Sequence, residues 1–330
     1  MKETLYIFSN GELKKQQNTI YFEGDGKRKY VPIEHISTLM IFGEVTINKR
    51  LLEFLSQKEI LLHFFNYYGY YVGTYYPREH YNSGYMILKQ AEHYMDEEKR
   101  VGLTRKFVEG AASNILRVLK YYNARGSELD GHIKSIEELR DRVLLHKRVE
   151  ELMAIEGNIK DRYYGSFNEI IKSEEFAFKK RTRRPPTTKL NALISFGNSL
   201  LYTIVLSEIY KTHLDPRIGF LHTTNFRRFT LNLDVADVFK PIIVDRAIFA
   251  LLNKGMLKNN CFLKELDRVY LNERGRDIFV RELEDRLKAT IKQDKLKKNV
   301  SYRRLIRMDL YKIEKHIMGE EEYKPFVARW

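Results

Sequence analysis

The chain has one cysteine, Cys261, among 330 residues. A lone thiol excludes an intrachain disulfide and any metal site built from several thiolates, and it fits a reducing compartment. Long apolar runs are missing as well. No stretch of roughly 18 apolar residues occurs, the length that reads as a membrane span; residues 200–206 are apolar apart from Thr203 but are soon followed by Glu208 and Lys211. Nor is there an amino-terminal apolar segment with a cleavage site, so the expected location is the cytoplasm, with no membrane partner. The segment Gly24-Asp25-Gly26-Lys27 lacks the spacing of a phosphate-binding loop and reads as a hairpin turn. There is no compact zinc signature, helical His-Glu motif, internal repeat or low-complexity segment.

What is present is the content of a folded protein. Apolar residues make up 43% of the chain and aromatics 13%, and the length allows two domains with a substantial core. The net charge of +14 is unevenly placed. Residues 1–85 hold 10 basic against 9 acidic side chains, whereas 286–315 alone hold 11 against 3. The excess therefore lies downstream, in clusters at Lys179, Lys180, Arg181, Arg183 and Arg184, at Lys295, Lys297 and Lys298, and at Arg303, Arg304 and Arg307. Such clusters neutralise phosphates and release counterions without reading bases, which points to a polyanion partner; each also reads as a solvated basic face or a surface for an acidic protein or membrane.

The periodicity divides the chain in two. Up to residue 85, short β-type runs at 4–8, 19–22, 36–42, 61–65 and 70–76 alternate with turns, and one helix is expected over 49–57. The aromatics of 64–76 read as core or subunit interface rather than as a base-stacking surface. From 86 onward the spacing is helical, over 103–122, 133–164, 189–212, 234–252 and 277–291, with breaks at Gly126, Pro185-Pro186, Pro216 and Gly255. The stretch 193–206 is apolar on nearly every face and belongs in the centre of a bundle. Residues 181–188, with paired prolines and basic side chains, are expected as an exposed loop. The predicted fold class is α+β, with a small β-rich domain (1–85) followed by a larger all-helical domain (86–330).

Four separated residues could bind a hard metal ion. Glu156 falls on the otherwise apolar stripe of Leu145, Val149, Leu152, Ile159 and Tyr163, where an unpaired carboxylate is costly and demands a cation, a metal or a hydrogen-bond network. An ion pair with an arginine such as Arg162 would also satisfy it. Asp234 and Asp237 share one helical face and can share a cation, or simply favour the positive end of a helix. His222 follows the run Ile218-Gly219-Phe220-Leu221 and reads equally as a ligand or a hydrogen-bonded loop residue. One imidazole with two or three carboxylates suits Mg²⁺ or Mn²⁺ and phosphoryl chemistry, but spacing alone leaves these alternatives open.

The surrounding segments carry more. Ala154-Ile155-Glu156-Gly157-Asn158, Arg183-Arg184-Pro185-Pro186 with Asn191-Ala192-Leu193-Ile194-Ser195-Phe196-Gly197, Leu214-Asp215-Pro216 leading to Gly219-Phe220-Leu221-His222, and Leu231-Asn232-Leu233-Asp234-Val235-Ala236-Asp237-Val238-Phe239-Lys240-Pro241 with Asp245 beyond it occur in that order. Upstream stand Val31-Pro32-Ile33, Phe42-Gly43 and an aromatic segment ending in Gly73-Thr74. This set, spanning nearly the whole chain, resembles the CRISPR-associated protein one family, the integrase subunit of the spacer-acquisition complex.

The resemblance implies that Glu156, His222 and Asp237 bind the metal and that Asp234 is a further acidic position close to it. Two positions depart from the pattern, since the family often has Glu where Asp237 stands and Tyr where Asn198 stands. Aspartate shortens the reach by one methylene yet remains a hard ligand; Asn198 has no reading in these terms. The implied activity is a Mg²⁺- or Mn²⁺-dependent endonuclease and integrase that inserts short DNA fragments into a repeat array by transesterification. Implied partners are double-stranded DNA, a second copy of the chain bound through the first domain, and the small ferredoxin-like CRISPR-associated protein two. Basic side chains at Arg181, Arg183, Arg184, Arg303, Arg304 and Arg307 are candidate DNA contacts. Lys240, one turn beyond Asp237, is either a phosphate contact or a plain surface lysine. A hydrolytic structure-specific nuclease and a non-catalytic DNA-binding scaffold are the alternatives.

Overall fold

A computed structural model describes residues 2–24, 26–78, 81, 83–223, 229–293 and 297–329. The chain forms two compact units, Met1–His80 and Tyr81–Trp330.

The first unit contains two four-stranded sheets. One is ordered β1 (Glu3–Ile7), β5 (Ile36–Ile41), β7 (Leu61–Phe65), β8 (Tyr71–Tyr75), with the first three strands parallel and β8 antiparallel. The other is ordered β4 (Lys27–Pro32), β3 (Thr19–Gly24), β2 (Gly11–Gln16), β6 (Val45–Ile47). Strand β5 is buried at almost every position because it lies between parallel neighbours and is covered on both faces. Strand β4, Lys-Arg-Lys-Tyr-Val-Pro, is an exposed edge whose charges disfavour pairing with another chain. Helix α1 (Lys49–Gln57) starts where the Asn48 side chain accepts from the Leu51 amide at 3.0 Å, and its Leu51 and Leu55 join Leu13, Ile20, Leu39 and Leu62 in the core. The five expected strands and the helix are present. Strands β2, β4 and β6 were hidden because two of them are charge-rich and the third is three residues long.

The second unit is mainly helical: α2 (Gly84–Met95), α3 (Glu97–Asn123), α4 (Asp130–Asp141), α5 (Val149–Gly165), α6 (Phe167–Ile171), α7 (Lys189–Ile209), α8 (Leu231–Lys240), α9 (Arg246–Asn253), α10 (Glu273–Lys288) and α11 (Tyr302–Ile317). It is not all-helical. Two antiparallel hairpins, β9 (Phe262–Glu265) with β10 (Arg268–Leu271) and β11 (Thr290–Gln293) with β12 (Lys298–Ser301), flank α10. The first turns through Leu266 in the left-handed region, at φ 51°.

The expected helix over 133–164 is two helices. After α4 the chain makes a short 3₁₀ turn, Val143–Leu145, and α5 begins anew with Glu151 accepting from the Arg148 amide at 3.3 Å. Leu145 is consequently 73% exposed and is not part of the buried stripe. Helix α7 is long and apolar enough to cross a membrane by composition, yet it is buried inside this unit. Gly197 permits its closest approach, since a Cβ there would lie 2.5 Å from Val244 and 2.8 Å from Phe279.

Helix α8 continues through a π-helical segment, Pro241–Asp245, into α9. Pro241 has no amide to give the Asp237 carbonyl and its ring crowds that carbonyl. The ladder widens, so that the Arg246 amide donates to the Pro241 carbonyl. Asn114 of α3 ties α8 in place, donating to the Val238 and Phe326 carbonyls at 2.8 Å each and accepting from the Ala328 amide at 2.9 Å.

Candidate active site

Glu156 lies on the face of α5 that carries the buried Val149, Leu152, Ile159 and Tyr163, and its side chain is 14% exposed. Lys160, one turn further, forms an ion pair with Glu156 and reaches Asp237 Oδ2 of α8 at 2.9 Å. Asp237, with a side chain 2% exposed, is also paired through Oδ1 with Lys240, whose ammonium donates to the Tyr202 hydroxyl at 2.5 Å. Lys240 is therefore buried within the site and is not a plain surface lysine.

Asp234 has a different task. Its two oxygens accept the backbone amides of Phe220 (2.6 Å), Leu221 (3.1 Å) and His222 (3.0 Å), and Oδ1 meets His222 Nδ1 at 2.7 Å. This arrangement binds the 219–222 loop to the first turn of α8. Gly219 is required there: its amide donates to Thr230 Oγ1 at 2.9 Å, and a Cβ would stand 2.7 Å from the Thr230 carbonyl carbon. Arg100 holds the same loop from α3 by donating to the Phe220 carbonyl at 3.0 Å. With Nδ1 engaged by Asp234, Nε2 of His222 is left as the nitrogen that could bind a ligand, the arrangement that carboxylates commonly impose on metal-binding histidines.

The electrostatics separate the two carboxylates facing Lys160. Burial alone would raise Asp237, but Lys160, Lys240 and His222 overcome it and hold the group well below the usual carboxylate range. Burial pushes Glu156 up and the Asp237 charge adds to this, against the pull of Lys160. Burial opposes the charge on Lys160, yet Asp237 and Glu156 keep its pKa above the ordinary lysine value. For His222 the desolvation that lowers its pKa is outweighed by the Asp234 hydrogen bond and by the Asp234 and Asp237 charges, so it lies above the usual value.

Glu156 and Asp237 thus meet about an ammonium, with His222 close enough for its charge to act on Asp237. Among the described residues no three His, Cys, Asp or Glu side chains stand together as a ready-made metal cluster. The donor chemistry is nonetheless that of a hard divalent ion, two carboxylates and an oriented imidazole, with the Lys160 ammonium standing where positive charge is needed between the carboxylates. The partner of Glu156 is Lys160; Arg162 is exposed.

The basic candidates fall into two groups. Lys179, Lys180, Arg183, Arg184, Lys297, Lys298 and Arg304 are exposed, while Lys295 lies outside the described residues. Arg181 is turned inward, donating to Asn191 at 3.1 Å and Ser195 at 3.0 Å, and so fastens the 181–188 loop to α7. Arg303 pairs with Glu284 at 2.7 Å and Arg307 with the buried Glu208 at 2.6 Å. Asn198 is buried with its Oδ1 unpartnered among the described residues. Sequence reasoning missed Lys160, Tyr202 and Tyr163, and gave Asp245 no role. Only Lys160 left a signal, its position four residues after Glu156.

This two-unit fold is shared with solved Cas1 proteins. It is similar to a Cas1 protein from Thermotoga maritima (TM-score 0.87, 48% identity, 97% of this chain and 98% of that chain). It also matches a casposase bound to integration product with a TM-score of 0.89 over 100% of this chain and 95% of that one, at 19% identity, which is a likeness of fold alone. The family model for CRISPR associated protein Cas1 matches residues 5–285, and the chain belongs to the Cas1 family. Relatives include a CRISPR-associated endonuclease Cas1 of Thermodesulfovibrio yellowstonii, 60% identical over 100% of both chains, and one of Thermotoga maritima, 49% identical over 97% of this chain and 98% of the relative. Family membership supports a nuclease role.

Proposed function

We propose that the chain is a Mg²⁺- or Mn²⁺-dependent DNA integrase that inserts short DNA fragments into a repeat array by transesterification, with Glu156, His222 and Asp237 as the metal-binding residues. The observation that carries the reading is the convergence of Glu156 and Asp237 beside a histidine whose tautomer is set by Asp234. A divalent ion bound there would polarise the scissile phosphate and stabilise the charge that develops on it. The chain's own residues supply the rest. Asp234 holds the imidazole with Nε2 outward. Tyr202 steadies Lys240 beside Asp237, where its ammonium can neutralise a phosphate oxygen. Exposed Lys179, Lys180, Arg183, Arg184 and Arg304 are suited to the DNA backbone.

The assembly we propose is a homodimer formed through residues 1–85, joined by the small ferredoxin-like CRISPR-associated protein two and by duplex DNA. A solved structure named as a Cas6-RT-Cas1–Cas2 complex shares the fold (TM-score 0.87, 18% identity, 100% of this chain and 36% of that one) and supports looking for that partner.

The test is a strand-transfer assay with a duplex bearing a free 3′-hydroxyl, a repeat-bearing plasmid and Mn²⁺. Joined product that disappears in Glu156→Gln supports the reading. Nicking without joining would assign hydrolysis instead, and metal-independent product would overturn the role of the carboxylates.

A further inference from the structure

The cavity behind Glu156 and Asp237 contains a third carboxylate that the reading above leaves unused. Asp245 ends the π-helical segment, is 2% exposed, and lines the same cavity as Lys160, Lys240 and Tyr163. No ion pair reaches it among the described residues; its neighbour is the Tyr163 hydroxyl, which acts on it by hydrogen bonding and not as a counter-charge. A buried carboxylate left this way calls for an explanation. Lys160 presents the converse case: one ammonium on a flexible four-carbon stem lies between the two carboxylates read above as metal holders. A divalent cation and an ammonium cannot share that space, and an ammonium expelled without a partner would be a buried, uncompensated charge.

We propose that Lys160 is the resident counter-ion of the Glu156–Asp237 pair and that Asp245 receives its ammonium when a divalent cation enters, so that one ion pair is exchanged for another inside the cavity. The proposal rests on the reading that Glu156 and Asp237 hold the cation. Only one of the two lysines has to move, because Lys240 retains Tyr202. Burial pushes Asp245 up to about 7, against the Tyr163 hydroxyl and the charges of Lys240, Arg181 and Lys160; an arriving ammonium favours its ionised form. Asp245 acts through Lys160 and is a positioning residue.

The experiment is calorimetric titration of the full chain with MnCl₂ alone, without DNA, for wild type, Lys160→Met, Asp245→Asn, the double variant and Glu156→Gln, each first checked by thermal melting. Removing the resident ammonium should tighten Mn²⁺ binding, and removing its receiver should weaken it, each by about tenfold, the effect typical of residues that act on a metal site through a ligand. In the Lys160→Met background Asp245→Asn should change affinity less than about twofold, since the exchange no longer takes place. Equal weakening in both backgrounds would overturn the proposal. Lys160→Met overturns it alone, whatever becomes of Asp245→Asn, if binding is unchanged or weaker. If Glu156→Gln binds Mn²⁺ as tightly as wild type, the metal reading itself fails. That result is distinct from a failed exchange, in which Glu156→Gln weakens binding while Lys160→Met does not strengthen it.

Discussion

The β-rich unit and the helical unit treat buried polarity in opposite ways. In Met1–His80 the buried polar side chains among the described residues are Thr38 and His63, and burial pushes His63 down to about 3, so that it is neutral at physiological pH. In Tyr81–Trp330 the interior holds Glu208, Asp215, Asp234, Asp237, Lys240, Asp245, Arg276 and Asp309. Buried charge is weak evidence of stability by itself, so the informative distinction lies inside the helical unit. Asp309 is satisfied by Lys312 and the Tyr323 hydroxyl, and Glu208 by Lys211 and Arg307. Around Asp237, by contrast, Glu156 and Asp237 share the one Lys160 ammonium, and Asp245 has no ion-pair partner among the described residues. Satisfied charges hold the fold together, whereas incompletely satisfied ones mark where the molecule is prepared to meet something else.

The largest expected effect tests that division directly. Glu156→Gln keeps shape and burial and should abolish strand transfer while moving the melting temperature by no more than a few degrees. Asp309→Ala should do the reverse. It strands the buried Tyr323 hydroxyl, and with Lys312 partly exposed the loss is about 2–3 kcal/mol, below the full value for a broken buried pair. For a unit of this size that corresponds to roughly 4–12 °C, with turnover per folded molecule retained. Melting and strand-transfer assays on both variants decide it. Comparable loss of stability in the two would erase the distinction.

A smaller effect is expected at Asp234. Asparagine has one acceptor oxygen where the carboxylate serves three amides and an imidazole, and its amide group can impose the wrong tautomer on His222. Asp234→Asn should lower Mn²⁺ affinity and strand transfer by about 10–100-fold while duplex binding stays near wild type. Retained Mn²⁺ affinity in this variant would reduce Asp234 to a loop fastener.

The pH dependence of stability sharpens the comparison further. Asp245 has a folded pKa of about 7, above its unfolded value, so the folded state binds the extra proton between the two. That contribution to stability is fully present below about pH 4 and is lost as pH rises to 7. Asp245→Asn removes the titration, so stability relative to wild type should increase from pH 5 to pH 7.5 by an amount on the order of 2 kcal/mol. Asp237, held low by its lysines, behaves in the opposite sense, and its contribution is lost only in acid. Denaturant melts across pH 5 to 8 measure the difference. A flat difference would mean that Asp245 is already ion-paired.

Legibility followed periodicity and local charge. The stripe Val149, Leu152, Ile159 and Tyr163 pointed Glu156 inward, and the run 193–206 identified the central helix, because burial on a helix repeats in sequence. The interruption at 142–148 escaped because a 3₁₀ turn hardly disturbs the apolar spacing. Strands β2 and β4 escaped because their charges belong to an exposed sheet face and an edge. Lys160 looked like half of a solvated Glu–Lys pair; its burial comes from packing against Asp237, 77 residues away. Tyr202 and Asp245 are similarly brought to the site by tertiary packing and leave no local mark.

The smallest effect concerns the basic side chains, where sequence suggested one set at Arg303, Arg304 and Arg307. The structure divides them, since Arg304 is exposed while Arg303 and Arg307 are paired with Glu284 and Glu208. An exposed cation contributes to duplex binding by releasing counterions, at about 0.9 of a unit in the slope of log K against log salt for each phosphate contacted. Arg183→Ala, Arg184→Ala and Arg304→Ala should therefore each weaken binding to all sequences alike and flatten that slope by roughly one unit per lost contact. Arg307→Ala should leave the slope unchanged and appear instead as a lowered melting temperature. Glu208 is fully buried and keeps only Lys211, and because Arg307 is partly exposed the penalty is no more than about 1–2 kcal/mol. Fluorescence anisotropy over a salt series, beside melting of the same proteins, separates the two outcomes. If Arg307→Ala flattened the slope as much as Arg184→Ala, the pair with Glu208 would have to open on DNA, and static pairing would no longer distinguish structural from binding cations in this unit.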